Sequence, residues 1–337
     1  MIATLGEILL RFSPPNSGII GRSNLYESHV GGSESNIAVN LSSWNKPVRL
    51  ISSVADNELS EGILHYYKGL GIDTHFIKQK AGRNGLYFLE NGWAYRTPKI
   101  IYDRENSVFN KLNLSDIDWD NAFENVKWFH WSGITPALSE NSRLLCENAI
   151  DYASAHDVFI STDLNIRKKL WKYGREPKDV MPALLQKTNG LLGDPFTFQE
   201  IFESQYELDI DYFSDLQSAK DIFSLLSENL PVLQFWAMTL RKVHHASYHS
   251  ISGLLYSNGV VHKARTYEVQ PIIGRVGGGD AFMSGLINSK YNDKSDQETI
   301  EFATAAAVLK NSTPGDVLEL KEKDVIDLIC NNQKIQR

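Results

Sequence analysis

Residues 274–280 read Gly-Arg-Val-Gly-Gly-Gly-Asp and run directly into the apolar stretch Ala281-Phe282-Met283-Ser284-Gly285-Leu286-Ile287. The consecutive glycines Gly277, Gly278 and Gly279 leave their backbone N–H groups open. A helix starting there points its positive end at the same place, and the two together make a hole for an anion. No Gly-Lys-Ser/Thr follows, so this is not a Walker loop. Its glycine spacing and its place near the C-terminus do not fit the dinucleotide fingerprint either. Asp280 would repel a phosphate in such a hole. As an ordinary carboxylate, ionised at pH 7, it suits a general base that takes a proton from a hydroxyl as that hydroxyl attacks a phosphoryl group. The spacing alone also fits a glycine turn whose aspartate merely caps a helix.

A second glycine pair, Gly31-Gly32, opens the segment Ser33-Glu34-Ser35-Asn36, where a ligand could approach the backbone closely. Tyr87, Tyr102, Arg104 and Arg167 form a scattered third group. Arg167 lies just past the C-terminal end of a predicted strand, where open α/β sheets bind ligands, and its planar fork suits a carboxylate. A surface ion pair is the alternative for either arginine. His245 and His249 have the i, i+4 spacing of a metal pair, but only a helix makes that spacing useful. Tyr248–Ser252 alternates like a strand, so no direct metal ligation is expected. Asp209 and Asp211 read as a solvated acidic face.

These residues are carried by 337 residues with 42% hydrophobic and 22% charged composition, enough to bury a sizeable core. Against 34 Lys+Arg stand 41 Asp+Glu, a net charge of −7, which argues against general affinity for nucleic acid or anionic membranes. Two cysteines, Cys146 and Cys330, exclude a disulfide scaffold and a cysteine-based zinc site. No apolar run reaches membrane-span length and no signal-type core precedes the first strand, so a soluble, cytoplasmic protein is expected. Strands and helices alternate: Ile2–Leu5, Ser33–Trp44, Val48–Ile51, Glu58–Leu70, then Trp128–Trp131, Ser139–Ala155, Val158–Ile160, a helical stretch to about Thr188, Gly190–Leu192 and Pro231–Met238. This predicts an α/β fold around a mostly parallel sheet covered on both faces. Residues 8–30 and 83–107 break the pattern. The latter predicts a hairpin turning at Asn91-Gly92 into Trp93-Ala94-Tyr95, and both stretches read as pieces of a small separate β-sheet. A further hairpin is predicted around Asn258-Gly259.

Taken together the segments resemble the ribokinase-like (PfkB) carbohydrate kinases nearly end to end. Gly31-Gly32 matches the N-terminal signature of that family. Arg275–Phe282 matches its C-terminal Gly-Ala-Gly-Asp signature, with Gly278 at the alanine. Within the family the chain is most similar to the 2-keto-3-deoxygluconate kinases. That similarity rests on His130-Trp131-Ser132-Gly133-Ile134-Thr135-Pro136-Ala137-Leu138-Ser139, on Asp163-Leu164-Asn165-Ile166-Arg167 with Leu170-Trp171, on Gly85-Leu86-Tyr87 and on Tyr102-Asp103-Arg104. The resemblance implies one doubly wound α/β domain over 1–337, with a β-lid from about 8–30 and 83–107. It implies ATP and Mg²⁺ as cofactors, a sugar acid phosphorylated at its 6-hydroxyl, and Asp280 as base. Gly32, Asn36, Tyr87, Tyr102, Arg104, Ile134 and Arg167 would line the sugar site, with Arg167 facing the carboxylate. Asp194 and Thr239 would fall in the nucleotide and metal region, and a homodimer through the lids is implied. A kinase for another sugar such as fructose, or a sugar-acid-binding relative without catalysis, are the alternative readings.

The chain departs from the family in three places. Gly274 stands where the signature has an acid, Thr197 where a magnesium-linked glutamate is usual, and 240–249 replaces a glycine-containing nucleotide loop. These departures predict a raised magnesium requirement, relieved by Thr197→Glu or Gly274→Asp.

Overall fold

The protein is described by a computed structural model over residues 1–204 and 211–331, so Asp209 lies outside the described residues. The chain opens with β1 (Ile2–Leu5), β2 (Leu9–Ser13), β3 (Glu27–Gly31), α1 (Ser33–Ser43), β4 (Val48–Ala55), α2 (Glu58–Gly69), β5 (Ile77–Lys80), β6 (Gly85–Glu90) and β7 (Lys99–Asp103). It continues through α3 (Trp119–Phe123), β8 (Trp128–Ser132), α4 (Glu140–Ala155), β9 (Phe159–Asp163), α5 (Pro177–Leu185), β10 (Gly190–Leu192), α6 (Pro195–Phe202) and α7 (Leu216–Ser227). The last elements are β11 (Phe235–His245), β12 (Tyr248–Ser257), β13 (Val260–Lys263), β14 (Tyr267–Val269), α8 (Gly278–Tyr291), α9 (Asp296–Lys310) and α10 (Glu322–Ile329).

The main sheet runs β13-β12-β11-β10-β9-β8-β1-β4-β5, with β14 paired to β12. It is parallel from β11 through β5 and antiparallel at the β11–β12–β13 end. Its central strands β1, β4, β8 and β10 bury both faces, as the unbroken apolar runs predict. Ile2, Val48, Leu50 and Trp128 join the core beneath α1, α8 and α9, while the alternate residues Ala3, Leu5, Ile51, Phe129 and Trp131 join the one beneath α4–α7. The chain crosses from β1 to β4 on one side and later returns to β8 on the other. This leaves a crevice at the carboxyl ends of the central strands.

A second sheet, ordered β3-β2-β6-β7, forms from the two irregular stretches. The turn joining β6 to β7 differs from the expected one. Trp93 and Arg96 close it with reciprocal backbone hydrogen bonds, Ala94 takes φ 49°, and the returning strand is Lys99–Asp103 rather than Trp93–Tyr95. The Asn-Gly pair lies in the approach to that turn. Farther on, 240–249 is not a loop. Thr239↔Gly253 to Val243↔His249 pair in register as the outer half of the β11–β12 hairpin. No helix among the described residues is long and apolar enough to cross a membrane.

Candidate active site

Two helix starts converge at the crevice. Gly277 is the N-cap of α8 with φ 82° and ψ 0°, and Gly278, Gly279 and Asp280 make its first turn. A Cβ on Gly277 would lie 1.8 Å from the carbonyl oxygen of Asp316, so only glycine fits. Gly32 caps α1, whose first turn supplies Ser33 and Asn36. Ser33 Oγ donates to Asp280 Oδ1 at 2.8 Å and Asn36 Nδ2 donates to Oδ2 at 2.6 Å. Burial pushes the Asp280 carboxyl up to about 6, with these two hydrogen bonds pulling the other way. It is less acidic than the ordinary aspartate the sequence suggested, yet mostly ionised above neutrality.

Glu34 pins α1 in place. It is buried, and it accepts hydrogen bonds from Ser132 N (3.1 Å), Ser132 Oγ (2.7 Å) and Thr135 Oγ1 (2.8 Å) at the end of β8. Burial raises its pKa, the hydroxyl donors opposing. These bonds hold the turn that aims Ser33 and Asn36 at Asp280.

The cavity around Asp280 has a volume of about 960 Å³. It brings together every residue singled out for the site: Gly32, Asn36, Tyr87, Tyr102, Arg104, Ile134, Arg167, Asp194, Thr239 and Gly277 to Asp280 all line it. Tyr87 and Tyr102 reach it from the small sheet, rings 6.2 Å apart. The two arginines differ. Arg104 is buried and neutralised, its Nε and Nη2 on Glu7 Oε2 at 2.7 and 2.5 Å. Arg167 is exposed at the rim, and among the described residues its guanidinium hydrogen-bonds only to the Ile166 carbonyl, at 3.4 Å.

Thr197 is not placed as a metal ligand would be. Its N–H and hydroxyl donate to Asp194 Oδ1 (2.9 Å) and Oδ2 (2.7 Å), and the pair caps α6. Gly274 faces away from the crevice, against a neighbouring loop. A Cβ there would stand 2.1 Å from the Thr313 carbonyl oxygen and 2.9 Å from Lys310 Nζ. An aspartate at 274 therefore has no room unless the Thr313 turn shifts, which argues against the expected relief of the magnesium requirement by Gly274→Asp. His249 is buried in β12 and pushed down to about 4, chiefly by burial. Among the described residues no group of three or more His, Cys, Asp or Glu is arranged to hold a metal.

Three residues of the cavity escaped the sequence reading. Asp163 ends β9; its Oδ1 accepts from Asn165 N at 3.1 Å, and its Oδ2 would lie 3.8 Å from a Cβ on Gly279. Burial, and then the Asp280 charge, push it up to about 7. Arg275, in the glycine-rich segment itself, and Arg241, in the outer half of β11, also line the cavity. Neither guanidinium has a hydrogen-bonding or ion-pairing partner among the described residues, and Arg275 is held below the usual arginine range by burial and by Arg241. Two unneutralised cations brought together mark a place for an anion. Only their alternation on a strand and in a loop could have signalled this, and neither pattern separates a ligand-facing arginine from a solvated one.

Comparison with known proteins agrees with this geometry. The family model for pfkB family carbohydrate kinases matches residues 1–204. The 2-dehydro-3-deoxygalactonokinase of Haloferax volcanii is 25% identical over 324 residues, covering 96% of this chain and 95% of that one. The crystal structure of 2-dehydro-3-deoxygluconokinase from Thermotoga maritima superposes with a TM-score of 0.91 at 30% identity, over 98% of this chain and 99% of that one. A PfkB family carbohydrate kinase from Listeria grayi gives 0.90 at 30% identity, again over 98% and 99%. With a glycine-capped helix presenting an aspartate at the crevice of a doubly wound sheet, and relatives matching along nearly the whole chain, the protein belongs to the PfkB family of carbohydrate kinases and is an ATP-dependent sugar kinase.

Proposed function

We propose that the protein transfers the γ-phosphoryl group of ATP to the 6-hydroxyl of 2-keto-3-deoxygluconate, with Asp280 as general base. Asp280 takes the hydroxyl proton as O6 bonds to the γ-phosphorus. The bond from that phosphorus to the β,γ-bridging oxygen breaks, and ADP leaves. Backbone N–H groups of Gly277, Gly278 and Gly279 meet the charge developing on the transferred group. The observation that carries the sugar-acid reading is Arg167, a guanidinium on the same cavity that makes no ion pair among the described residues, although the Asp163 carboxyl feels its charge. Arg104 is already neutralised by Glu7, which leaves Arg167 to face a substrate carboxylate. The names of the Haloferax and Thermotoga relatives, both kinases of 2-dehydro-3-deoxy sugar acids, support the same class. Arg241 and Arg275 suit the nucleotide phosphates.

The donor set fits magnesium held largely through water. Asp163 and Asp194 border the cavity, and Asp163 Oδ2 accepts no hydrogen bond among the described residues. These two carboxylates would hold the ion, which when bound offsets the charge of the phosphates. We also propose that two copies of the chain pair through the small sheet.

A coupled assay of ADP release over a panel of sugars and sugar acids tests the reading. Asp280→Asn is expected to lose about 10²- to 10⁴-fold in turnover with sugar binding kept. A guanidinium that faces the carboxylate contributes nothing to a neutral sugar, so Arg167→Ala should impair sugar acids far more than neutral ketoses. Equal losses on both classes sink the carboxylate assignment. A wild-type preference for fructose replaces the substrate, and sugar-acid binding without turnover at any magnesium concentration makes the protein a binder.

A further inference from the structure

Lysine is among the residues least often buried, yet Lys310, at the end of α9, is 0% exposed. Its ammonium makes one hydrogen bond among the described residues, to the Thr313 carbonyl at 3.0 Å, and has no ion-pair partner there. The side chain lies directly under the loop that opens the anion hole. Its Nζ would be 2.9 Å from a Cβ on Gly274, and its Cε 3.2 Å from one on Gly277. Gly274 and Lys310 are thus matched: the missing side chain is what gives the ammonium its room. A methionine would fill the same space without the cost of burying a charge on a single acceptor, so packing does not explain a lysine here.

We propose that Lys310 is a positioning residue whose ammonium is a cation built into the protein, holding the 274–277 loop to the Thr313 turn and keeping positive charge behind the anion hole during phosphoryl transfer. The proposal rests on the anion-hole reading given above. The charged groups facing the ammonium are Asp316, Glu319 and Asp280, which favour its charge, and Arg11, which opposes it. Burial outweighs them and pushes the ammonium down to about 8. Its charge is therefore present below that pH and lost above it.

Three variants test the role. Lys310→Met keeps the packing and removes the charge. It is expected to lower kcat by about tenfold to a hundredfold, less than the about 10²- to 10³-fold lost with a direct anion-hole donor because the ammonium acts from behind the loop, with the KM for the sugar held within about twofold. Wild-type kcat should fall as pH rises through about 8, and Lys310→Met should lack that limb. Lys310→Ala should regain activity on adding methylammonium but not tetramethylammonium at equal ionic strength. If Lys310→Met retains wild-type kcat and its alkaline limb, the proposal is wrong. Loss of melting temperature and sugar binding together, with no amine rescue, makes Lys310 a packing residue and also overturns it. Asp280→Asn run in parallel separates the two readings. An inactive Asp280→Asn beside a fully active Lys310→Met removes only the Lys310 role, whereas an active Asp280→Asn removes Asp280 as the base and leaves the Lys310 result to be judged on its own variants.

Discussion

Asp163 and Asp280 are two carboxylates at the end of one crevice, and burial makes each reluctant to ionise. Folding raises Asp163 from 3.8 to about 7, so the folded chain holds that proton more tightly than the unfolded chain does. The stabilisation is complete below about 3.8 and is lost as pH rises through about 7. Asp163→Asn, neutral throughout, is expected to melt above the wild type at pH 8, the gap closing towards pH 4. A gap that widens on acidification contradicts the placement of this carboxylate. Asp280 titrates lower, about 6, so kcat should rise with pH through that value. At this scale the sequence was legible where function depends on local backbone. Three glycines before an aspartate, or an arginine after a strand end, carry their meaning in a few neighbours. Asp163 and Arg241 acquire theirs from groups far away in the chain, and Lys310 ends a helix at a place where a lysine is ordinary on dipole grounds.

Among the elements, α8 and the loop before it are the most constrained. Inserting side-chain atoms into a filled site costs about 1 to 3 kcal/mol. Gly274→Asp, whose Cβ would press on the Thr313 carbonyl, should lower the melting temperature and turnover rather than improve magnesium use. An unchanged melting temperature with a lower magnesium requirement would return Gly274 to the crevice. The parallel strands were readable because both of their faces are apolar and glycine or helix-cap signals bound them. The turn between β6 and β7 was not. Asn91-Gly92 carries the stronger turn chemistry, but the strand pairing Glu90↔Lys99 leaves the reversal to Trp93–Arg96, where Ala94 accepts a positive φ. Pairing decided the register there, and pairing partners cannot be read from the turn residues alone.

For the molecule as a whole, the small sheet has one face on the cavity and another turned away. On the latter, Phe12, Phe88 and Ile101 stand side by side across β2, β6 and β7, and Ile101 is 52% exposed. If two copies pair there, Ile101→Asp should shift the mass seen by light scattering from dimer to monomer; a wild-type monomer at high concentration removes the pairing. Asp316 ties that sheet to the glycine loop. Its carboxylate meets Arg11 of β2 at 2.5 Å and accepts from the Tyr87 hydroxyl of β6, while its backbone carbonyl sits where a side chain on Gly277 would be. A sugar that tilts the sheet through Tyr87 must therefore shift Asp316, and with it the loop that receives the phosphates. The two substrates then cease to be independent ligands. Each should raise the affinity for the other by the same factor, as thermodynamic reciprocity demands. Calorimetric titration of the sugar acid with and without a non-hydrolysable ATP analogue would read that factor directly, and Tyr87→Phe should bring it towards one.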